Sequence, residues 1–253
     1  MQQGARRGEA QRAGLDTILK ILDALPIERN GPDYLSLQQV ARNGLEHGWW
    51  QDPEYRDMGE RQARIADLEC GTTEICEYQP GMIPGLLQVE AYATERAQVA
   101  LGKGERLDLA ATVAGRIRRQ QQILDPSGCE YVAVLEPQAV GRPHVSLPVM
   151  CAQLRHLHRL AVEVANVHIH VLPVDARLPS GWVARETFAV YGYSAADPKV
   201  VVVDTVSEDR VLTAPKVTAE YAQIFKELRA AALSEEESAV LIQQAAERFG
   251  AEA

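Results

Sequence analysis

Apolar residues recur at helical spacing along much of the chain. The first stripe runs from Leu15 to Leu25 and stops at Pro26, which predicts one short amphipathic helix. The same spacing predicts helices at residues 36–50, 57–69, 86–100, 107–124, 149–164, 216–233 and 235–249. Ser234 directly precedes the last of these helices, and Glu237 follows Ser234 three residues later, which is the spacing of a capping box. We therefore expect that helix to start at a well-defined position.

Short β-rich apolar runs predict strands at residues 74–78, 131–135, 167–172, 187–193 and 200–205. The order strand, helix, strand over residues 131–172 predicts a parallel pair with a right-handed crossover. The run 200–205 is so rich in valine that both of its faces should be covered. The pattern as a whole predicts an α/β fold with a helical N-terminal half followed by a partly parallel sheet layer with flanking helices.

The same pattern divides the chain into three parts. Residues 1–14 are polar and arginine-rich with no apolar stripe, which predicts a disordered or frayed tail. Residues 15–72 form a helical N-terminal segment, and residues 73–250 form the α/β domain.

Two Pro-Gly pairs, Pro80-Gly81 and Pro84-Gly85, lie four residues apart just before the apolar stripe that begins at Leu86. Such pairs are strong turn signals. They predict a shaped loop that leads into a helix at Leu86. We expect Pro84 and Gly85 to set the angle of that helix, and Gly85→Val to destabilise the protein if Gly85 has a positive φ.

The stretch YQPGMIPGLLQVEAYA, residues 78–93, resembles the Y-E-P-x-x-V-P-G-L-L-Q-T-x-x-Y-A signature of a known family. This is the C-terminal, antitoxin-like domain of actinobacterial helix-turn-helix regulators of the lambda-repressor-like (XRE) class. Later blocks keep the family's order, and together they cover roughly residues 45 to 245: GRIRRQQQIL, VLEPQAV, MCAQLRHLHRLAV, VHIHVLP, GWVARETFAVYGY, VVVVDT and ELRAAALSEEESAVLI. The usual DNA-reading module is not recognisable, and Gln79 and Asp204 stand where the family more often has Glu.

The resemblance implies a regulatory or antitoxin-like protein that acts through partner or ligand binding by its α/β domain. The implied partner is a small companion protein or a small-molecule effector, and a homodimer is a further alternative. A second interpretation is a family member repurposed as a small-molecule sensor or an enzyme, with a pocket at the C-terminal ends of the strands. A third is that residues 1–253 are a fragment of a longer DNA-binding regulator.

Composition narrows the choice of partners. With 253 residues and 46% hydrophobic content, the chain can bury a sizeable core. Its formal charge of −9 opposes binding to polyanions, so we expect DNA to bind weakly or not at all. We find no signal peptide and no run approaching the ~20 apolar residues that cross a bilayer, and therefore expect a cytoplasmic protein without membrane contact.

The residues that could carry metal or catalytic chemistry are sparse. The four cysteines form no C-x-x-C pair, and His168 and His170 share a strand face without an evident third ligand. No nucleophile elbow, zincin motif or phosphate-binding loop is present. We therefore expect no metal and no cofactor, and we favour a binding protein over an enzyme.

Two groups of side chains are candidates for binding. Arginines and glutamines at 116–122 form the densest basic and amide patch. They are either an anion clamp or, as we favour, a solvated helix face that pairs with the protein's own carboxylates. Glu136, Asp175 and Asp204 lie at or just past the C-terminal ends of predicted strands, where open α/β folds bind ligands. They either form a ligand site or, as we favour, cap helices or turns. The full set of candidate ligand- or partner-binding residues is Tyr78, Pro84, Gly85, Gln88, Tyr92, Arg116, Arg119, Gln120, Glu136, His170 and Asp204.

Overall fold

The chain divides into two compact units, residues 1–49 and residues 50–253. The computed structural model describes residues 15–28, 31, 34, 37, 48–102, 104, 107–125, 128–182, 186–194, 197–205 and 209–253. In the first unit helix α1 spans Leu15–Ala24, as the stripe before Pro26 predicts, and the Tyr34 hydroxyl donates to Asp23 Oδ1 at 2.7 Å. The predicted tail at 1–14 and nearly all of the predicted helix at 36–50 lie outside the described residues.

The second unit combines helices with one sheet. Its described helices are α2 (Glu60–Glu69), α3 (Glu90–Gly102), α4 (Leu109–Ile123), α5 (Pro137–Gly141), α6 (Leu147–Glu163), α7 (Pro215–Ala231) and α8 (Glu235–Glu252). Its strands are β1 (Glu74–Gln79), β2 (Glu130–Leu135), β3 (Val167–Val171), β4 (Thr187–Gly192), β5 (Val200–Asp204) and β6 (Asp209–Leu212). The predicted mixed α/β fold with a helical N-terminal half is confirmed. Helix α2, which the sequence assigns to the N-terminal segment, belongs to this unit.

The described strands form one sheet in the order β3-β2-β1-β4-β5-β6. Strands β1, β2 and β3 pair in parallel, which confirms the parallel pair predicted around α6. Strand β4 is antiparallel to both β1 and β5, so β5 runs in the same direction as β1. The C-terminal ends of β1, β2, β3 and β5 therefore lie along one edge of the sheet.

The two faces of the sheet are covered unequally. Because side chains alternate along a strand, Ile75, Tyr131, Ile169 and Val202 share one face with the apolar sides of α3, α4, α6 and α8. We call this the multi-helix face. The opposite face packs on Ile224, Phe225 and Leu228 of α7. Valines of β5 are buried on both faces of the sheet, as predicted. Complete burial of one such side chain contributes roughly 1.5–3 kcal/mol to the free energy of unfolding.

The segment after the Pro-Gly pairs corrects one prediction. Gly85–Leu87 form a 3-10 turn and the α-helix begins at Glu90, because Gln88 is extended (φ −84°, ψ 139°). Extended backbone interrupts a helix, so the turn and the helix are separate. Gly85 does not have a positive φ, and a Cβ there would meet Arg116 Nε only at 4.0 Å. The expected strain at Gly85 is therefore wrong.

Other boundaries also differ from the prediction. Helix α2 starts at Glu60 rather than Asp57, after Gly59 at φ 96°, a conformation that favours glycine. Its buried residues are Gln62, Ala66 and Glu69, and its Ile65 and Leu68 are partly buried against the core of the multi-helix face. Strand β6 and helix α5 were not predicted. The capping box at the start of α8 is confirmed by the reciprocal bonds between Ser234 and Glu237.

Candidate functional site

A cavity of about 330 Å³ lies on the multi-helix face, between the sheet and the helices α2, α3 and α4. Its walls also include residues of the segment from Met82 to Gln88, which we call the cleft segment. The charged residues among its lining are Arg61, Arg96, Arg116, Arg119, Glu69, Glu77, Asp204 and Asp209. We call it the arginine cleft. Its volume falls near the lower end of the range for small-molecule sites.

Glu77 of β1 lies at the sheet wall of the cleft and is buried. Its carboxyl accepts hydrogen bonds from the Tyr131 hydroxyl at 2.6 Å and from Gln79 Nε2 at 2.8 Å. Thr187 Oγ1 donates in turn to Gln79 Oε1 at 3.2 Å. Burial raises the pKa of Glu77, and the bonds from Gln79 and Tyr131 oppose that rise without cancelling it. A fixed polar network therefore forms this wall.

Glu69 of α2 and Arg119 of α4 form a buried, bidentate ion pair. Arg119 Nε donates to Glu69 Oε2 at 2.8 Å, and Nη2 donates to Oε1 at 2.5 Å. Burial lowers the pKa of Arg119, but the carboxylate of Glu69 raises it by more, so the guanidinium stays charged. The pair joins two helices of the cleft wall.

Arg61 of α2 closes one side of the cleft against the ends of β5 and β6. It donates from Nε to Asp209 Oδ2 at 2.8 Å and also forms an ion pair with Asp204. Burial raises the pKa of Asp209, and the charge of Arg61 opposes that rise. The side chains of Arg61 and Asp204 are 53% and 41% exposed, whereas that of Asp209 is 4% exposed, so the cluster reaches from the surface into the cleft wall.

Arg116 of α4 is partly buried and bonds only to amides. Its Nη1 donates to Gln88 Oε1, and its Nε donates weakly to Gln62 Oε1 at 3.4 Å. Burial lowers the pKa of Arg116 to about 10, and the charges of Arg119 and Arg96 act in the same direction. The side chain remains cationic at neutral pH. No carboxylate of the described chain lies within ion-pairing distance of it.

Gln120, one turn along α4 from Arg116, holds the cleft segment in place. Its Nε2 donates to the backbone oxygens of Gln88 at 2.6 Å and Gly85 at 3.1 Å. Gln88 Nε2 donates to the Ile83 oxygen at 2.8 Å, which ties the segment to itself. The expected solvation of this helix face is wrong for Arg119 and Gln120, since both are buried, whereas the expected pairing with a carboxylate is found between Arg119 and Glu69. The expected solvation holds for Arg118, which is exposed.

The structure separates the sequence-predicted candidates into three groups. Five of them line the arginine cleft, namely Gly85, Gln88, Arg116, Arg119 and Asp204. Pro84, Tyr92 and Gln120 are buried beside it without lining it. The remaining three, Tyr78, Glu136 and His170, lie away from the cleft, and Tyr78 and His170 project from the opposite face of the sheet.

These three residues have partners within the fold. The Tyr78 hydroxyl donates to Glu136 Oε1 at 2.8 Å, and the Tyr78 ring packs against Trp182 and Phe188. His170 Nδ1 lies 3.0 Å from the Leu233 oxygen. The candidates therefore do not form one constellation.

Several cleft residues were missed by the sequence analysis: Arg61, Glu69, Glu77, Gln79, Arg96, Thr187 and Asp209. Glu77 carried a signal, because it is a charge in the middle of an apolar strand. Gln62 and Glu69 carried another, since they lie seven residues apart on one side of α2. Nothing local pointed to Arg96 or Asp209.

No metal centre is evident among the residues that the structure describes, where no group of three or more His, Cys, Asp or Glu side chains could hold an ion. His168 lies 3.1 Å from Glu235 and 3.0 Å from Glu130, and the four cysteines are free thiols. Within the described ranges, every helix is too short or too polar to cross a bilayer.

Comparison with known proteins yields one match. A family model described as a domain of unknown function (DUF5753) matches residues 62–244, which include every residue lining the arginine cleft except Arg61. No curated protein and no solved structure matches the chain. Because the matched region covers more than half of the sequence, the chain belongs to the DUF5753 family.

Proposed function

We propose that the protein is a regulatory, antitoxin-like protein of the XRE-regulator class whose α/β domain binds a small-molecule effector in the arginine cleft. The class comes from the ordered sequence blocks that begin at Tyr78. The binding mode comes from a single observation, an open cleft of about 330 Å³ with charged and amide side chains already fixed around it.

Fixed side chains favour ligand binding because little conformational entropy is lost when the ligand arrives. Gln88 and Gln120 are held by bonds to backbone oxygens, and Arg119 is held by Glu69. The apolar part of the lining, such as Leu86 and Ala97, supplies contact area between these polar groups. This combination of an apolar lining with a few placed polar groups is typical of small-molecule sites.

The test is a thermal-shift screen of the wild-type chain against small metabolites of different charge, with each hit confirmed by calorimetry. Ala100→Phe fills the cleft from α3, whereas Ala91→Phe adds the same ring at an exposed position of α3 outside the lining. We expect Ala100→Phe to weaken binding of a hit at least tenfold and Ala91→Phe to leave it unchanged. Absence of any hit, or equal binding by both variants, contradicts the proposal.

A further inference from the structure

The charges around the arginine cleft do not neutralise one another evenly. Four arginines and four acidic residues line it. Arg61 is paired with Asp204 and Asp209, and Arg119 is paired with Glu69. The two remaining arginines, Arg96 and Arg116, have no carboxylate partner within the described part of the chain.

Glu77 does not supply the missing counter-charge. Its two oxygens already accept bonds from Tyr131 and Gln79, and it makes no ion pair with either arginine. Burial favours its neutral form. The unpaired charges in the cleft are therefore those of Arg96 and Arg116, although the chain as a whole carries −9.

Arg96 of α3 and Arg116 of α4 line the same cavity. The positive charge of Arg96 is among those that lower the pKa of Arg116. Two guanidinium groups that line one cavity without a carboxylate partner attract an anion more strongly than either group does alone.

We propose that Arg96 and Arg116 form an anion subsite, and that the cleft binds a small molecule through its carboxylate or phosphate group. This inference rests on the proposed ligand-binding function and specifies the chemical class of the ligand. Guanidinium groups suit this role because they donate two parallel hydrogen bonds to either anion. Arg116 uses Nη1 and Nε for amides and keeps the Nη2 hydrogens for a ligand.

The probes are sodium phosphate and sodium acetate, each compared with sodium chloride at equal ionic strength. Because phosphate stabilises folded proteins in general, each rise is compared with the rise in Arg96→Gln. We expect at least one of the two anions to raise the melting temperature of the wild-type chain, relative to chloride, by more than that of Arg96→Gln. Phosphate alone points to a phosphorylated ligand, acetate alone points to a carboxylate, and both results support the subsite. Identical melting temperatures in all three salts overturn it.

Variants locate the subsite. Arg96→Gln and Arg116→Gln should each weaken binding of the active anion at least tenfold by calorimetry. Arg118→Gln removes an equal charge from the exposed side of α4 and should leave the affinity unchanged. An equal loss in all three variants means a diffuse field and refutes the assignment. Should Arg116→Gln not fold by circular dichroism, Arg96→Gln decides, since Arg96 makes no hydrogen bond in the described structure.

The anion class and the ligand-binding function can fail separately. An uncharged compound that binds wild type but not Ala100→Phe, with an affinity indifferent to Arg96→Gln and Arg116→Gln, refutes the anion subsite and leaves the cleft as a ligand site. If neither anions nor uncharged compounds bind, both proposals are refuted.

Discussion

The side chains of Glu69 and Arg119 are 2% and 9% exposed, and their two hydrogen bonds join α2 to α4. A buried charge is tolerated only while its partner is present, because each ion has lost its hydration. At this scale the wall of the arginine cleft depends on matched charges rather than on apolar contact.

Replacing one member of the pair should therefore cost more than replacing both. We expect Arg119→Met to lower the free energy of unfolding by about 3–5 kcal/mol, since Glu69 is left buried and unpaired. The double variant Glu69→Met with Arg119→Met should recover most of that loss. Urea denaturation measures both effects, with the exposed Arg118→Met as the control. A double variant less stable than Arg119→Met argues against this account.

Glu77 should make stability depend on pH in the opposite direction to a paired carboxylate. Because its pKa is raised in the folded state, the folded chain binds more protons than the unfolded chain above the unfolded pKa of about 4.3. Wild type should lose stability as pH rises from that value towards the folded pKa of Glu77. In Glu77→Gln this loss should be absent.

Denaturation of both proteins at intervals between pH 5 and pH 8 tests this sign. The free energy of unfolding of wild type relative to Glu77→Gln should fall as pH rises. Glu60→Gln, at an exposed position of α2, should follow wild type. Parallel pH profiles for wild type and Glu77→Gln contradict the assignment of a raised pKa.

Sequence patterns identify part of this site for a physical reason. Arg116 and Gln120 were found because one-turn spacing places them on one side of a helix, which is a local property. Glu77, Arg96 and Asp209 come together only through sheet pairing and helix packing, which no local pattern encodes. The burial of Arg119 against Glu69 is also set by helix packing, so the sequence pattern alone did not distinguish Arg119 from a solvated residue.

At the scale of elements, α4 packs closely against the region before and within α2 at Gly115. A Cβ on Gly115 would lie 2.4 Å from Met58 Sδ and 2.9 Å from Gln62 Nε2. Met58 is fully buried, and Gln62 Nε2 donates to the Thr112 oxygen at 2.8 Å. Neither side chain can move without losing contacts, so glycine permits this approach.

We therefore expect Gly115→Ala to destabilise the protein by about 1–3 kcal/mol through overpacking, despite the gain of up to about 1 kcal/mol in helix propensity. Gly102→Ala, at the end of α3 with no atom within 4 Å of the added Cβ, is the matched control and should be neutral or slightly stabilising. Chemical denaturation of both variants measures the difference. Equal stability of the two variants would show that Met58 and Gln62 adjust freely.

Most elements were predictable because their apolar period is regular. Strand β5 is valine-rich and helix α8 has a capping box, so pattern and structure agree. Strand β6 has only four residues at the edge of the sheet, too few for a period to emerge. The predicted helix start at Leu86 is too early because the apolar stripe runs through the 3-10 turn. The next residue, Gln88, is extended, and its backbone oxygen accepts a hydrogen bond from Gln120.

At the scale of the whole molecule, the positive charge of the arginine cleft is local. The formal charge of the chain is −9, and the cleft arginines lie among acidic residues of α2, β1 and β5. A small anion can reach such a site because the field changes sign over a short distance. A long polyanion experiences the whole surface, and ions screen exposed charges beyond about 8 Å at physiological salt.

The last prediction follows from this contrast and concerns DNA. Specific reading requires an element seated in a groove and several neutralised phosphates, which a net charge of −9 opposes. We expect this chain to bind duplex DNA with dissociation constants no tighter than roughly 10⁻⁴ to 10⁻⁶ M at physiological salt, without sequence preference. Anisotropy titrations with a randomised duplex pool and with sequences enriched from it, at low and physiological salt, provide the measurement. Enrichment of one sequence that still binds tightly at physiological salt would contradict the prediction and restore direct DNA reading to this chain.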